Sequence, residues 1–476
     1  MSDNSSPKNP FSRRDFLKTG ALSALFVGSG ALISSCETKP KTAKNIIFLV
    51  SDGMSQGTLS MADHMMRRQF GRPSVWISGY EQNRFDYRGL MDMASLDSLV
   101  TDSASSASSW GCGQRINNGA VNMTPDGEKL KPICSIAKDG GKKTGLVTTT
   151  RITHATPSGF SINMDERWKE NEIAEQHLER QVDVLLGGGN AFFAPDQRED
   201  NHDLYADFED LGYKLVQNKT DMERNAFSDR LMGIFTDHHL PYTVDHKNMD
   251  EHNHVPTLAE MADVAIRNLS RHDGGFLLQI EGGRVDHAAH GNCPSGLIYD
   301  QIAFDEALGV AMDFAEKDGD TLLIVTTDHG NANPGLNGIG SGYRDSNKMF
   351  DRLQNFERTN SWILSGLDDT SNISAIRERY EFATKIEMSR EEAQILQQSL
   401  RGTYQTAYRT RNRPSAVLSA IQANHVAINW VGSMHTSDYV ELAAMGPGSE
   451  RLTQPFVRNT DIFDIMVATL GLEEYV

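Results

Sequence analysis

The chain has 476 residues, of which 64 are Asp or Glu and 46 are Lys or Arg, so its formal net charge is −18 at pH 7. A phosphate backbone requires a basic surface, and this balance therefore argues against nucleic acid as a partner. A small anionic substrate stays open, because bound metal ions can reverse the local field at a site.

The first 44 residues have the pattern of an export signal peptide followed by a tether. Paired arginines in SRRDFLK (12–18) precede a Gly/Ala/Ser-rich apolar run from Ala21 to Ser34, which is too short to span a bilayer permanently. Paired arginines before such a run are typical of a twin-arginine signal. Residues 33–36 resemble a lipobox, whose cysteine becomes lipidated. We therefore expect export to the periplasm or cell envelope and a lipid anchor at Cys36.

The remaining residues, about 430, suffice for one large α/β domain or two ordinary ones. Strands alternate with helices, which predicts an α/β fold with a central, mostly parallel sheet and helices on both faces. Charged and Gln-rich helical patterns interrupt this alternation. We therefore expect a catalytic core over 45–335, a helical insertion over 336–424, and a C-terminal part of the core over 425–476.

If Cys36 carries the lipid, three other cysteines remain, Cys112, Cys134 and Cys293. An odd number at such wide spacing is no disulfide framework. One bridge is conceivable, and we expect it between Cys112 and Cys134.

Polar side chains follow two apolar strands directly. The run from Asn45 to Ser51 is typical of a strand covered on both faces, and Asp52 comes next. Thr321 to Thr327 is a second such strand, followed by Asp328 and His329. Asp52 taken singly is equally explained as a helix N-cap, yet it lies where open α/β sheets have their active sites.

The segment TDSASSASSWGCG (101–113) places Ser103 at the start of a helix of small residues. Unpaired N–H groups and the helix dipole there favour a bound phosphate. Close packing against the sheet explains the later serines, but it explains Asp102 and Ser103 less well. No G-x-S-x-G elbow surrounds Ser103, so a metal is the better candidate for its activator.

A short strand from Gly145 to Thr150 is followed by His154 and Thr156, and Arg167 lies eleven residues beyond Thr156. An arginine can bind two phosphate oxygens as a fork. In isolation, a solvated arginine in a mixed-charge helix explains Arg167 better. His435 lies in a later loop between two strand patterns.

The segment FLLQIEGGRVDHAAHGN (276–292) has the densest set of candidate ligands. Its strand ends at two glycines, after which Asp286 and His290 share one face if the segment is helical. Glu281, before the glycines, is free to serve a neighbouring cation. Compensation of the helix dipole explains Asp286 but gives no reason for His287 and His290, so the segment favours zinc.

These residues should converge, because the carboxyl ends of parallel strands meet at one edge of a sheet. The donors are carboxylates, imidazoles and hydroxyls, with no thiolate. Such a set suits zinc with His and Asp, and magnesium with oxygen ligands alone. The sequence therefore predicts a site with several metal ions.

In this order, the segments LVSDGMS, TDSASSASSWGCG, THATPSGF, IEGGRVDHAAH, TTDHG and GSMHTSDYVELAAMGPG resemble those of alkaline phosphatases. The resemblance covers most of 45–335 and about 426–476. It implies an alkaline-phosphatase-like fold and hydrolysis of small phosphate monoesters through a phosphoserine. Family members are commonly homodimers, so the resemblance also raises a homodimer as an expectation.

Residue by residue, the resemblance implies two Zn²⁺ and a third ion, Mg²⁺ or a third Zn²⁺. The first zinc would be held by Asp286, His290 and His435. The second would be held by Asp52, Asp328, His329 and Ser103. The third ion would be held by Asp52, Thr156 and Glu281.

The resemblance also assigns roles in the reaction. Ser103 would be the nucleophile, the first zinc would stabilise the leaving oxygen, and Arg167 would clamp two phosphate oxygens, which reverses the interpretation of Arg167 in isolation. His154 and His287 stand beside the ligands at positions that vary in the family, and histidine there could favour zinc as the third ion.

Two alternatives remain at this point. One is a phosphodiesterase or sulfatase of the same superfamily, although Ser103, Arg167 and the third-ion ligands point to monoesters. The other is a lipid-anchored protein that binds phosphate or metal without turnover.

Overall fold

A computed structural model describes residues 41–476. The predicted export signal, the lipobox and most of the tether fall on residues 1–40 and lie outside the described residues. Within 41–476, none of the helices combines the length and the apolar character that crossing a membrane requires.

Ten strands form one sheet in the order β14-β2-β13-β8-β1-β7-β3-β4-β6-β5. Two short ladders, β10 with β11 and β9 with β12, lie outside it. The strands of the described residues are β1 Asn45–Val50, β2 Tyr87–Asp92, β3 Lys143–Arg151, β4 Val184–Gly188, β5 Lys214–Val216, β6 Leu231–Ile234, β7 Phe276–Glu281, β8 Thr321–Thr326, β9 Gly330–Asn331, β10 Pro334–Leu336, β11 Ile428–Trp430, β12 His435–Thr436, β13 Val440–Met445 and β14 Phe456–Arg458.

Helices cover both faces of the sheet, with one large hydrophobic cluster on each face. The helices of the described residues are α1 Gln56–Phe70, α2 Val75–Glu81, α3 Ser103–Cys112, α4 Ile133–Asp139, α5 Ala155–Ser161, α6 Glu170–Arg180, α7 Leu204–Asp210, α8 Lys219–Arg224, α9 Thr243–Asn248, α10 Leu258–Leu269, α11 Arg284–His290, α12 Pro294–Asp318, α13 Asp345–Asp351, α14 Asn360–Ser365, α15 Ile373–Thr384, α16 Arg390–Leu400, α17 Pro414–Val426 and α18 Asp461–Leu470.

The central strands are parallel and buried on both faces, as their continuous apolar sequences predict. β1 pairs in parallel with β7 on one side and β8 on the other, and every residue of these three strands is buried. β13 runs antiparallel between β8 and β2. The mostly parallel α/β sheet is therefore confirmed, and the carboxyl ends of β1, β7, β8 and β3 meet at one edge.

Two short helices at this edge, α3 and α5, pack backbone against backbone. A Cβ atom added to Gly111 of α3 would lie 1.8 Å from the carbonyl oxygen of Gly159 in α5, and one added to Gly159 would lie 2.4 Å from Cβ of Ala107. Only small side chains fit between the two helices, which accounts for the Ser/Ala/Gly composition of α3.

The residues between β10 and β11 form helices α13 to α17 and rejoin the core through that two-stranded ladder, in which Leu336 pairs with Ile428. Part of this region has its own hydrophobic cluster, which includes Ile376, Tyr380 and Leu418. The capping-box spacing of Ser389 and Glu392 begins α16, as expected. Helices α13 to α17 thus lie between the two strands of this ladder.

The disulfide expected between Cys112 and Cys134 is wrong. Both thiols are free and buried, as is that of Cys293. Cys112 packs with Ile116 and Leu130, whereas Cys134 belongs to the large cluster on one face of the sheet. The two side chains pack into different parts of the core, so nothing brings their sulfur atoms together.

Candidate metal centre and nucleophile

Three groups of side chains at the carboxyl edge of the sheet could each bind a metal ion, with their ligand atoms within 4.8 Å of one another. The outer group consists of Asp286, His290 and His435. The middle group consists of Asp52, Asp328 and His329. The inner group consists of Asp52, His154 and Glu281.

The outer group joins α11 to β12, the short strand that begins at His435 and pairs with β9; the sequence had indicated a loop there. Nε2 of His290 lies 3.3 Å from Oδ2 of Asp286, and Nε2 of His435 lies 3.6 Å from Oδ1 of the same carboxylate. The spacing of Asp286 and His290 places both on one face of α11, as the sequence indicates. Asn331 holds the carboxylate by donating to Oδ1 at 2.6 Å.

The two imidazoles of the outer group are oriented by backbone carbonyls. Nδ1–H of His290 donates to the carbonyl of Ser433 at 2.8 Å, and Nδ1–H of His435 donates to the carbonyl of Thr101 at 2.9 Å. Burial and the adjacent His329 lower the pKa of His435 to about 4, so this ring is neutral at pH 7.

Because Nδ1 of each ring donates to a backbone carbonyl, Nε2 is the nitrogen that each ring turns towards the site. The two Nε2 atoms of His290 and His435 lie 3.0 Å apart, and both face Asp286. A histidine that donates through Nδ1 and offers Nε2 is the usual arrangement of a metal ligand. The outer group therefore fits a metal ion.

The middle group lies at the ends of β1 and β8. Oδ2 of Asp328 lies 3.0 Å and Oδ1 of Asp52 lies 3.7 Å from Nε2 of His329. The backbone N–H of Gly53 donates to Oδ1 of Asp328 at 2.9 Å. Both Oδ1 of Asp52 and Oδ2 of Asp328 are buried without a hydrogen-bond partner among residues 41–476. Buried carboxylate oxygens require a donor or a cation.

Ser103 is the first residue of α3, and its side chain faces the middle group. Its Oγ lies 3.4 Å from Nε2 of His329. Asp102 caps the helix by accepting from the N–H of Ser105 at 2.9 Å, as the motif predicts. The hydroxyl is thus buried at a helix N-terminus, beside a cluster of potential metal ligands.

The inner group is completely enclosed. Oε1 of Glu281 lies 3.3 Å from Nδ1 of His154, and Oδ2 of Asp52 lies 4.0 Å from the same atom. Thr156, at the start of α5, donates to Oδ2 of Asp52 at 3.4 Å. The structure therefore brings Thr156 together with Asp52 and Glu281, as the resemblance implies, and adds His154 as a fourth donor.

Sequence reasoning missed the hydroxyls that hold Glu281. Thr148 and Thr150 both donate to Oε2 of Glu281, Thr150 at 3.2 Å, and their Oγ1 atoms lie 2.7 Å apart. Oε1 is left facing the inner group. The alternate threonines near the end of β3 are a signal that could have indicated this role, because residues two apart share one face of a strand.

The carboxylates of the site carry opposed pKa shifts. Burial raises the pKa of Asp52 well above its usual range, and the charges of Asp328, Asp286 and Glu281 raise it further. The pKa of Glu281 is lowered in spite of burial, because His154 and Thr148 bind the carboxylate. Several carboxylates in one buried cluster cannot all be ionised without added positive charge. Divalent cations would supply that charge.

Arg167 is held between two residues of the site. Its guanidinium donates to Oδ2 of Asp102 at 3.1 Å and to Nε2 of His154 at 3.1 Å. Its flat face lies on the ring of Trp168, with Cζ 4.9 Å from the ring centroid. Asp102 precedes Ser103, so the guanidinium lies close to the serine with N–H groups to spare for an anion.

The three imidazoles of His154, His239 and His287 form a wall beside the inner group. The ring centroid of His287 lies 5.7 Å from that of His154 and 4.3 Å from that of His239. Burial lowers the pKa of both His239 and His287. Arg284 donates to Nδ1 of His287 at 3.0 Å. His239 was missed, because it lies in a polar region whose sequence carries weak signals and it reaches the site only through the fold.

Comparisons with known proteins agree with one another. Residues 43–472 match the family model described as Alkaline phosphatase. Alkaline phosphatase 3 of Bacillus subtilis is 29% identical over 94% of this chain and 94% of its own length. The repressible alkaline phosphatase of Saccharomyces cerevisiae is 35% identical over 64% of this chain and 57% of its own length. The crystal structure of Thermus thermophilus alkaline phosphatase is similar with a TM-score of 0.85 and 33% identity, over 94% of this chain and 96% of that one.

Proposed function

Because this chain belongs to the alkaline phosphatase family, whose members are phosphomonoesterases, we propose that it hydrolyses phosphate monoesters to an alcohol and inorganic phosphate through a phosphoserine on Ser103. The observation that carries the proposal is the position of the Ser103 hydroxyl, 3.4 Å from His329 in the middle group. Arg167 lies on the other side of Asp102. A nucleophile and a phosphate clamp thus converge at one point.

The reaction is two displacements at phosphorus. Oγ of Ser103 attacks phosphorus and its proton passes to solvent, while the P–O bond to the alcohol breaks and the departing oxygen takes a proton from water. Water then attacks the phosphoserine, which releases inorganic phosphate and restores the hydroxyl. The guanidinium of Arg167 would bind two non-bridging oxygens in both steps. Only the phosphoryl group has to be held, so a broad range of monoesters is expected.

The ligand groups fit the divalent cations that the family implies. The outer and middle groups, with His and Asp donors, suit Zn²⁺. The inner group with Thr156 suits Mg²⁺ by its oxygen donors, or a third Zn²⁺ through His154. Bound there, the cations would lower the pKa of the Ser103 hydroxyl and neutralise charge on the phosphoryl and leaving oxygens. The outer group adjoins the middle group, because the ring of His435 stacks on that of His329 with centroids 3.6 Å apart. In an in-line displacement the leaving oxygen lies opposite Ser103, and we infer that the outer group would face it.

Ser103→Ala tests the nucleophile. We expect at least about a 10⁴-fold loss of kcat with an aryl phosphate monoester, while zinc content and inorganic phosphate binding persist. Ser109→Ala is the matched control, because Ser109 lies in the same helix and its hydroxyl donates to a backbone carbonyl. Full activity in Ser103→Ala would refute the assignment.

Removal of metal and a choice of substrates separate the alternatives. Chelation should abolish turnover, and addition of Zn²⁺ with Mg²⁺ should restore it. A chelated protein that still turns over would exclude metal catalysis. Hydrolysis rates for an aryl phosphate monoester, a phosphate diester and an aryl sulfate should rank the monoester first. A dominant diesterase or sulfatase rate would favour the superfamily alternative.

We extend the proposal to the cell envelope and to assembly. Residues 12–36 support twin-arginine export and a lipid anchor at Cys36, and the family resemblance supports a homodimer. Cys36→Ser in the full chain should move the protein from the membrane fraction to the soluble fraction. Replacement of Arg13 and Arg14 by Lys should leave unprocessed precursor inside the cell. Light scattering should give twice the mass of one chain.

A further inference from the structure

One stretch of the chain carries a net positive charge, opposite in sign to that of the chain as a whole. Residues 393–437 contain four arginines and no Asp, Glu or Lys, in a chain whose formal net charge is −18. Three of these arginines follow one another closely between α16 and α17. The arginine loop is defined here as Arg409, Arg411 and Arg413.

The arginines of this loop have no carboxylate partner within residues 41–476, since no Asp or Glu oxygen lies within 4.0 Å of them. Arg409 and Arg413 are exposed. Arg411 donates to the backbone carbonyl of Trp430. Buried arginines elsewhere are paired, as Arg198 is with Glu175. The arginine loop therefore presents positive charge that no carboxylate of residues 41–476 neutralises by direct pairing.

The arginine loop lies against residues 430–433, which precede His435 of the outer group in the chain. Besides the bond from Arg411 to Trp430, the hydroxyl of Tyr408 lies 3.7 Å from the position of a Cβ atom on Gly432. The next carbonyl, of Ser433, accepts from Nδ1 of His290 at 2.8 Å. Residues 430–433 thus join the arginine loop directly to a ligand of the outer group.

We propose that the arginine loop binds a second anionic group on the leaving side of the substrate, so that the enzyme favours monoesters bearing a further phosphate or carboxylate. This inference rests on the proposed function, which places the leaving oxygen at the outer group. Guanidinium forks bind phosphate and carboxylate through paired N–H donors. In an acidic protein, a local basic surface also attracts a polyanionic substrate to this side of the site.

The double variant Arg409→Ala/Arg413→Ala of the metal-loaded enzyme tests the proposal. The probes are two phenyl phosphates, one with a para-carboxylate and one with a para-carboxamide, which differ in charge and hardly in shape. We expect kcat/KM to fall about five- to tenfold for the carboxylate at low salt and less than twofold for the carboxamide. Raising the salt to about 0.5 M should shrink the difference, because the loop is exposed. Each variant is compared with wild type on the same substrate, so intrinsic reactivity cancels.

Arg224→Ala/Arg458→Ala is the matched control. It removes the same charge at α8 and β14, beside the two edge strands of the sheet, and should change both probes equally. The inhibition constant of inorganic phosphate, which has no second group, should stay unchanged in the arginine-loop variant.

Three results would overturn the inference. Equal losses of kcat/KM for both probes, or an equal weakening of inhibition by inorganic phosphate, would show that the arginine loop acts through its general electrostatic field and does not bind a second anionic group. If the double variant lost binding to vesicles of anionic lipid that the wild-type enzyme binds, and kept the wild-type selectivity between the two probes, the arginine loop would be a membrane contact. A wild-type enzyme that hydrolyses neither probe, nor any other monoester, would instead refute the proposed function on which the inference rests.

Discussion

The outer and inner groups use similar side chains in opposite surroundings. In the outer group, the side chain of His290 is 32% exposed and that of His435 is 16% exposed, and backbone carbonyls orient both rings. In the inner group, Asp52 and Glu281 are fully buried, and threonine hydroxyls hold the glutamate. We therefore expect a cation bound at the outer group to exchange with cations in the solvent. A cation at the inner group would offset the cost of burying the carboxylates there.

Among changes to the metal-ligand groups, Asp52→Asn should have the largest effect, because Asp52 belongs to both the middle and inner groups. We expect kcat to fall at least about 10³-fold and more than one metal ion per chain to be lost. Steady-state kinetics and elemental analysis would measure both. Asp305→Asn is the control: Asp305 is also buried, but it accepts from the N–H groups of Val75 and Trp76, so metal content should be retained. An Asp52→Asn enzyme whose kcat lies within tenfold of the wild-type value would show that Asp52 is not a ligand shared by the middle and inner groups.

His435→Ala should have the next largest effect, confined to the outer group. We expect about a 10²-fold loss of kcat/KM and one metal ion fewer per chain. Because solvent reaches this group, excess Zn²⁺ should restore part of the activity, whereas it should not rescue Asp52→Asn. Equal rescue of the two variants would show that exposure does not separate the groups.

Arg167→Ala should lower kcat/KM by about 10- to 100-fold and weaken inhibition by inorganic phosphate, with metal content unchanged. Arg167→Lys should recover less than half of the lost binding energy, because an ammonium group cannot form the fork. Loss of metal with intact phosphate binding would instead assign Arg167 to the support of His154.

Thr148→Val should have the smallest effect. It tests whether the Thr148 hydroxyl supports Glu281 in the inner group. The valine leaves Glu281 with one hydroxyl donor, so we expect the free energy of unfolding to fall by about 1–3 kcal/mol and the third ion to bind more weakly. Denaturant unfolding with and without added Mg²⁺ would measure this. Thr144→Val, on the same strand but bonded to Asp183, should destabilise the protein without changing the metal dependence.

The core of the fold and the convergence of the site residues were predictable because the information is local. A continuous apolar run marks a strand buried on both faces, and a ligand-type residue just after it must lie at the carboxyl edge. This applies to Asp52, Asp328 and Glu281. His435 is different, since only the fold brings it to His290, and its assignment to the same ion as Asp286 and His290 depended on the family resemblance.

Other features depend on the tertiary structure. β2 was not predicted, because only part of Tyr87–Asp92 is buried and its apolar pattern is weak. The antiparallel direction of β13 is set by its neighbours and not by its own residues. The free thiol of Cys112 and the contact of His239 with His287 likewise follow from packing, which sequence spacing does not encode.

The close contact between α3 and α5 limits how this enzyme can vary. Ser103 is the first residue of α3 and Thr156 is the second residue of α5, so the gap between the two helix backbones sets the spacing of the proposed nucleophile and a candidate cation ligand. Any larger side chain at Gly111 or Gly159 would wedge the two helices apart and misalign both at once. A change in the spacing of Ser103 and Thr156 is therefore opposed by the direct contact between the two helices.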